Sequence, residues 1–255
     1  MATSAPQPGP RRRIPLRELP LPHVCPRPVR LWALQRAPYF AGLPLDDLER
    51  IDGRMQVTRY REGESIYRAG DAAEHLYIVA EGRIRLSQTT VAGTESVADI
   101  LGPGELFGAM GTLGEPVHLQ TATAIVTSCV LSIGQQEFRT VLSTHPGVGL
   151  HVLDDVAARL VRAHTDISGQ STDTVAQRVA TALLRLADKL GEDRGDDGVL
   201  IEVPLSRADL AGLARSTPES VSRVMSRWHR EGVIVSGRRW TAIRDRARLE
   251  AEAGG

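Results

Sequence analysis

The stretch SRADLAGLARSTPESVSRVMSRWHREG, Ser206 to Gly232, decides the fold of the C-terminal third of the chain. Ser206 stands three residues ahead of Asp209, the pattern of a capping box. In that motif the hydroxyl accepts from the backbone N–H three residues on, and the acid reaches back to the serine N–H. It predicts a short helix, RADLAGLA, with Leu210 and Leu213 turned inward. A turn at Arg215-Ser216-Thr217 follows. Thr217 can cap a second helix whose first residue is Pro218, where a missing N–H costs nothing, and Gly232 suits its end. In this second helix Val221, Val224, Met225 and Trp228 recur at helical spacing and are expected in the core. Glu219, Ser222, Arg223 and Arg227 project the other way. Two helices joined by such a turn make a helix-turn-helix.

Downstream, VIVSGRRWTAI adds a two-strand wing. Residues near the N-terminus of the second helix of this motif are those that reach base edges in a DNA groove. Arg223 can bind guanine O6 and N7 in bidentate fashion, Glu219 can accept from cytosine N4, and Ser222 can pair with a base or a phosphate. Glu219 and Arg223, four apart, share one face. Thr217 at the helix start and Arg227 farther along complete the candidate reading face. Charge agrees: residues 205–248 carry ten Arg against four acids, within a chain whose formal net charge is zero. Such a local excess is the footprint of a phosphate-backbone binder.

Upstream, VAQRVATALLRLADKLG reads as a helix capped by Asp173 or Thr174 and ended by Gly191, after a hinge at Ser171-Thr172-Asp173. GEDRGDDG reads as a turn and VLIEVPL as a strand. Before the hinge, PGVGLHVLDDVAARLVRAHTDISGQ spans Pro146 to Gln170. Its Leu153, Val156, Leu160, Ala163 and Ile167 alternate in spacings of three and four, the seam of a helix paired with a copy of itself. Residues 56–135 change period: short alternating or β-branched runs are separated by Gly63, Gly70-Asp71, Gly82, Gly93 and Gly102-Pro103-Gly104, which means a β-roll or sandwich. Residues 31–55 read as short helices packed on it. Residues 1–30 hold eight prolines and an Arg excess and are expected to be extended or disordered, with Cys25 inside them.

Four segments result: a flexible Pro/Arg-rich arm (1–30), a sensor domain (31–145), a dimerisation helix (146–170) and a DNA-binding domain (171–255). Two cysteines, Cys25 and Cys129, provide no disulfide framework, zinc quartet or iron-sulfur ligand set within one chain. Cys129 falls in a strand and reads as a small buried hydrophobe. No apolar run is long enough to cross a membrane, which suits a cytoplasmic protein. No nucleophile-base pair, phosphate loop or metal cluster marks an enzyme.

Three runs in order, EGESIYRAGD, LYIVAEGRIRL and GPGELFG, resemble the cyclic-nucleotide-binding jelly roll. Residues 40 to 248 together resemble the CRP/FNR family of bacterial transcription regulators. The resemblance implies an α+β chain: an N-terminal cyclic-nucleotide-binding-like β jelly roll, a long dimerisation helix and a C-terminal winged helix-turn-helix. It implies a homodimer on double-stranded DNA, contact with RNA polymerase and a small-molecule effector. Glu219-Ser220-Val221-Ser222-Arg223 is closer to the FNR branch, which reads TTGA-like half-sites, and Pro218 replaces the second base-reading Arg of the cyclic-AMP branch. Arg207 matches a phosphate-contacting Arg. Arg215 stands where the family has a turn glycine, so a reshaped or strained turn is expected.

The pocket departs from the family. The Glu that binds the ribose and the Arg that neutralises the cyclic phosphate are replaced by Ala109 and by Gln120 or Leu119. The adenine-contacting Thr and Ser fall on Ala163 and His164. These losses argue against cyclic AMP in the usual mode, because an unpaired buried phosphate costs several kcal/mol. Gly108, Ala109, Met110, His118, Gln120, Thr121, Ala163 and His164 are the candidate lining. A haem held by His118 or His164, a redox-linked sensor of the same fold, a regulator with no effector, and a non-DNA regulatory subunit are the alternatives. No cofactor is assigned. The cysteine-rich arm of the FNR protein is absent.

Overall fold

The computed structural model describes residues 25–89, 93, 95–108, 116–169 and 173–254, and within the long helix it gives no side-chain placement at 159, 160 and 162–169. The Pro-rich residues 1–24 and the hinge positions 171 and 172 lie outside the described residues.

Eight strands form two antiparallel four-stranded sheets. One has the order β1 (Gln56–Tyr60), β8 (Ser128–Gly134), β3 (His75–Glu81), β6 (Leu106–Phe107). The other has the order β2 (Ser65–Tyr67), β7 (Thr121–Ala124), β4 (Ile84–Thr89), β5 (Glu95–Leu101). The apolar character of β8 follows from burial on both faces. Val130 turns into the roll with Val79, Ile84, Leu101 and Phe107, while Cys129, Leu131 and Ile133 turn to the helices outside it. The glycine punctuation anticipated a β-roll or sandwich, and the resemblance implied this jelly-roll form of it. At Gly82, φ is +97° and a Cβ would collide with Ser128, so only glycine fits there.

The outer layer is helical: α1 (Arg27–Arg36), a 3-10 turn (Pro38–Phe40), α2 (Leu45–Asp52), α3 (Gln135–Thr144) and α4 (Pro146–Gly169). Leu34, Phe40, Leu48, Phe138 and Val148 pack there against Leu131 and Ile133 of β8. The buried Asp52 accepts from Arg30 Nε at 2.8 Å and Nη2 at 2.7 Å, and Tyr39 donates to Asp155 of α4 at 3.0 Å. The expected extended arm therefore ends sooner than residue 30. Cys25 is buried and α1 starts at Arg27, because Pro28 sits in the first turn, where proline is compatible with a helix. Helix α4 turns Val148 and Val152 inward and leaves Leu150, Leu153 and Val156 largely exposed along its other side.

Helix α5 (Val175–Leu190) opens the C-terminal unit with a capping box of Thr174 and Gln177. Then come β9 (Gly191–Asp193), β10 (Val199–Ile201), α6 (Arg207–Leu213), α7 (Pro218–Arg230), β11 (Ile234–Gly237), β12 (Trp240–Ile243) and α8 (Arg246–Gly254). Its core joins Leu183, Leu186, Leu210, Val221, Met225, Trp228, Ile234 and Leu249. The wing is larger than the two strands anticipated: the sheet order is β11-β12-β10-β9. The acidic GED stretch, read as a turn, is its edge strand, paired to β10 on one side with exposed acids beyond. Apolar alternation, the usual strand signal, is absent from such an edge.

The C-terminal unit packs on the roll. Helix α6 lies so close to β5 that a Cβ on Gly212 would sit 2.6 Å from the backbone nitrogen of Val97. Ion pairs join the two units as well: Arg85 with Asp209 at 3.4 Å, Lys189 with Asp99 at 3.1 Å and Glu105 at 2.8 Å, and Arg239 with Glu62 at 2.9 Å.

Candidate nucleic-acid interface

The two helices of the motif are fixed by the caps the sequence announced. Ser206 Oγ accepts from the Asp209 N–H at 3.0 Å and Asp209 Oδ2 accepts from the Ser206 N–H at 2.7 Å. Thr217 Oγ1 accepts from the Ser220 N–H at 3.3 Å, with Pro218 at the first helical position. Between the helices Arg215 has φ 46°, a left-handed conformation that costs a non-glycine residue ~1–2 kcal/mol. The turn is braced by Ser216 N–H to Ala211 O at 2.8 Å and by Arg178 Nε to Ala214 O at 2.9 Å.

On α7, Val221, Met225 and Trp228 are fully buried and Val224 is half-buried against them. Glu219, Ser222 and Arg223 are exposed side by side over its first two turns, as the spacing required. Ser220, which the spacing argument passed over, links them to the cap. Its hydroxyl accepts from Thr217 Oγ1 at 3.2 Å and from Arg223 Nη2 at 3.1 Å. The signal for it was available, since Ser220 stands three residues past the capping threonine. That partner of Arg223 is a neutral hydroxyl, so the positive charge of Arg223 stays directed outward.

Arg227 behaves differently from the expectation. It is half-buried, bonded to Glu252 of α8 at 2.8 Å, and its guanidinium lies 5.8 Å from the Trp228 ring centroid. Glu252 is far along the chain, so helical spacing could not show the pairing. Arg207, at the first position of α6, is partly buried, and that burial draws its pKa below the ordinary value. Arg244 and Arg246 are also engaged, with Asp197 and Asp188 at 2.7 Å each. The basic excess is therefore not one uniform patch; it is concentrated outward at α7 and at the wing tip, where Arg238 is exposed.

The candidate effector residues are partly within reach. Gly108 has φ +87° and its missing Cβ leaves room for the Tyr77 ring, 2.6 Å from where that atom would be. His118 is 2% exposed and stacks on Tyr67 with centroids 3.6 Å apart, with Tyr77 6.1 Å away. Burial lowers its pKa below the ordinary imidazole value, and Nδ1 has no hydrogen-bond partner among the described residues. Half-buried Thr121 accepts from the Ala69 N–H at 3.1 Å, Gln120 is half-buried, and Leu119 is exposed. An open cleft of ≈490 Å³ is lined by Tyr60, Glu64, Tyr67, Arg68 and Asp71 and shares only Tyr67 with this aromatic group. Ala109 and Met110 lie outside the described residues, as do the side chains of Leu160, Ala163, His164 and Ile167. Among the described residues no cluster of three metal-ligating side chains occurs, and no helix is long and apolar enough to cross a membrane.

Comparison with known proteins agrees with this architecture. Residues 57–145 match the cyclic nucleotide-binding domain and residues 177–252 match the Crp-like helix-turn-helix domain. The chain is 32% identical over 222 residues to the cyclic AMP receptor protein of Thermus thermophilus, covering 87% of this chain and 99% of that one. It is 24% identical to a CRP-like cAMP-activated global transcriptional regulator of Mycobacterium tuberculosis, covering 86% and 98%. The solved structure of FixK2 from Bradyrhizobium japonicum, 27% identical, superposes with a TM-score of 0.68, covering 77% of this chain and 96% of that one. The Mycobacterium relative is by name a transcriptional regulator. With its roll, its helix-turn-helix and full-length relatives of this kind, the chain belongs to the CRP/FNR family of DNA-binding transcription regulators.

Proposed function

We propose that the protein is a homodimeric regulator that reads a palindromic, TTGA-like site through the first two turns of α7. The observation that carries this reading is the exposed row Glu219, Ser222 and Arg223 on a helix whose opposite side is locked into the core. Glu219 and Arg223 would contact base edges, while Thr217, Ser222 and Arg207 would bind bases or phosphates and set the register. Arg227 contributes through its hold on α8 more than through DNA. The exposed Leu150, Leu153 and Val156 of α4 support a helix-to-helix dimer seam that continues through Leu160, Ala163 and Ile167. Two readers so joined would enter successive major grooves, with half-site centres ~10 bp apart. Contact with RNA polymerase would convert binding into regulation.

Two of the relatives carry cyclic AMP in their names, yet this chain has Ala109, and Leu119 or Gln120, where a phosphate and ribose need a charged partner. Its effector, if it takes one, is therefore of different chemistry, and it would act by shifting α4 and the hinge near residues 172–174. Selection of bound duplexes from a random library tests the reading: a two-fold symmetric site with that spacing is expected. Recovery of duplexes without a shared sequence would overturn it. Titration with cyclic AMP is expected to give no heat; saturable binding would refute the argument from the missing arginine.

A further inference from the structure

We propose that Cys25 and Cys129 form a reversible intramolecular disulfide, a modification site that ties the segment entering α1 to strand β8. The two residues belong to elements far apart in sequence, yet both side chains lie in one apolar cluster with Leu34, Leu131 and Ile133. Strand alternation in β8 explains the placement of Cys129, since it shares its face with Leu131 and Ile133 while Val130 points into the roll. Cys25 is brought there by α1. Arg30 Nη1 donates to the Cys25 carbonyl at 3.3 Å while its other nitrogens clamp Asp52, which fixes the chain just before the helix. Both cysteines are free and buried, and their side chains lie near enough for each to shift the other's titration. Two small hydrophobes would fill this space equally well, but a facing pair of thiols adds a reaction that alanine or valine could not perform.

The pair is chemically asymmetric. Pairing with Cys129, and to a smaller degree the charge of Arg30, hold the Cys25 thiol below its ordinary pKa against the opposing effects of burial and of Glu81 and Asp52. The same pairing and burial push Cys129 up. Cys25, with the lowered pKa and the greater exposure of the two (6% against 1%), is therefore the attacking thiol and Cys129 the resolving one. With a hydroperoxide as oxidant, the Cys25 thiolate attacks one peroxide oxygen and the O–O bond breaks. This leaves a sulfenic acid on Cys25 and an oxyanion that takes a proton. The Cys129 sulfur then attacks the Cys25 sulfur, the S–S bond forms, and hydroxide departs to become water with the proton from Cys129. With hydrogen peroxide the balance is two thiols and one peroxide giving one disulfide and two waters, each sulfur giving up one electron. A dithiol reductant reverses it.

The test uses the reduced full chain and one equivalent of hydrogen peroxide, followed by acid quench, denaturation, alkylation and mass analysis. The expected product is a monomer lighter by two hydrogens, with neither cysteine alkylated and a single linked peptide containing both, restored by dithiothreitol. Its melting temperature should exceed that of the reduced form. In Cys129→Ser the sulfenic acid on Cys25 should persist and be trapped by dimedone. Cys25→Ser, at the edge of the cluster, guards against a folding failure of the first variant and should keep one alkylatable thiol without gaining oxygen. Two alkylatable thiols after treatment, oxygen added without a cross-link in the wild type, or covalent dimers would each overturn the proposal.

Discussion

Lys189, the chain's only lysine, sits where α5 meets the roll, and its removal should loosen the C-terminal unit from the sensor. Its Nζ lies 3.1 Å from both Asp99 oxygens and 2.8 Å from Glu105 Oε1, with the lysine 19% exposed and the acids about one-third exposed. Replacing it in Lys189→Met keeps the stem packing and leaves two carboxylates facing one another, with Arg185 at 3.8 Å as the remaining cation at Asp99. Exposed pairs are worth at most ~1 kcal/mol and breaking a fully buried pair costs ~3–5 kcal/mol. This partly exposed three-way contact falls between them, at ~2 kcal/mol. For a chain of this size that corresponds to a fall in melting temperature of ~4–8 °C. Scanning calorimetry of the full chain at low salt reads it. The expected trace is an unfolding transition lowered by that amount relative to the wild type. The double variant Asp99→Asn with Lys189→Met should be less destabilised than the sum of the two singles. A Lys189→Met protein that melts with the wild type would refute the claim that this contact couples the units.

Three further outcomes follow from named contacts. Leu153→Arg puts a charge into the exposed apolar row of α4 and should yield monomers by sedimentation with the helix content unchanged; a variant that remains dimeric would place the seam elsewhere. Burial depresses the folded pKa of His118 below the usual histidine value, so the unfolded chain binds more protons between the two values. Stability should then fall as pH drops through the usual histidine range, and His118→Phe should flatten that part of the urea-midpoint profile; an unchanged profile would sink the assignment. Ser206→Ala removes one half of the capping box on α6 and should cost ~1 kcal/mol, read as a lower urea midpoint with an unchanged slope.

Local chemistry made most of the architecture legible. The serine-to-acid and threonine-proline signatures located α6 and α7, and the glycines with positive φ marked the turns of the roll, because these devices act within three or four residues. What stayed hidden is long-range. The burial of Cys25 depends on β8, and the capture of Arg227 depends on Glu252. The ionic contacts that seat the C-terminal unit on the roll join residues from separate domains, such as Glu62 and Arg239. The early start of α1 was masked by proline content, although proline in a first turn is compatible with a helix. The strain anticipated at Arg215 could be read only because a resemblance supplied the glycine it replaces.

The most direct measurement of the central claim is the affinity of wild type and Arg223→Ala for the selected duplex and for a panel with each half-site base pair changed, at fixed salt. Arg223 is exposed and bonded only to the Ser220 hydroxyl among the contacts described, so folding should be unaffected. Each bidentate pair is worth ~1–3 kcal/mol, which two half-sites double. The account predicts that Arg223→Ala loses roughly 30-fold or more on the selected duplex and stops discriminating at one symmetric pair of positions. Weak, salt-sensitive binding should persist. Unaltered discrimination across the whole panel would contradict it and move the reader away from the start of α7.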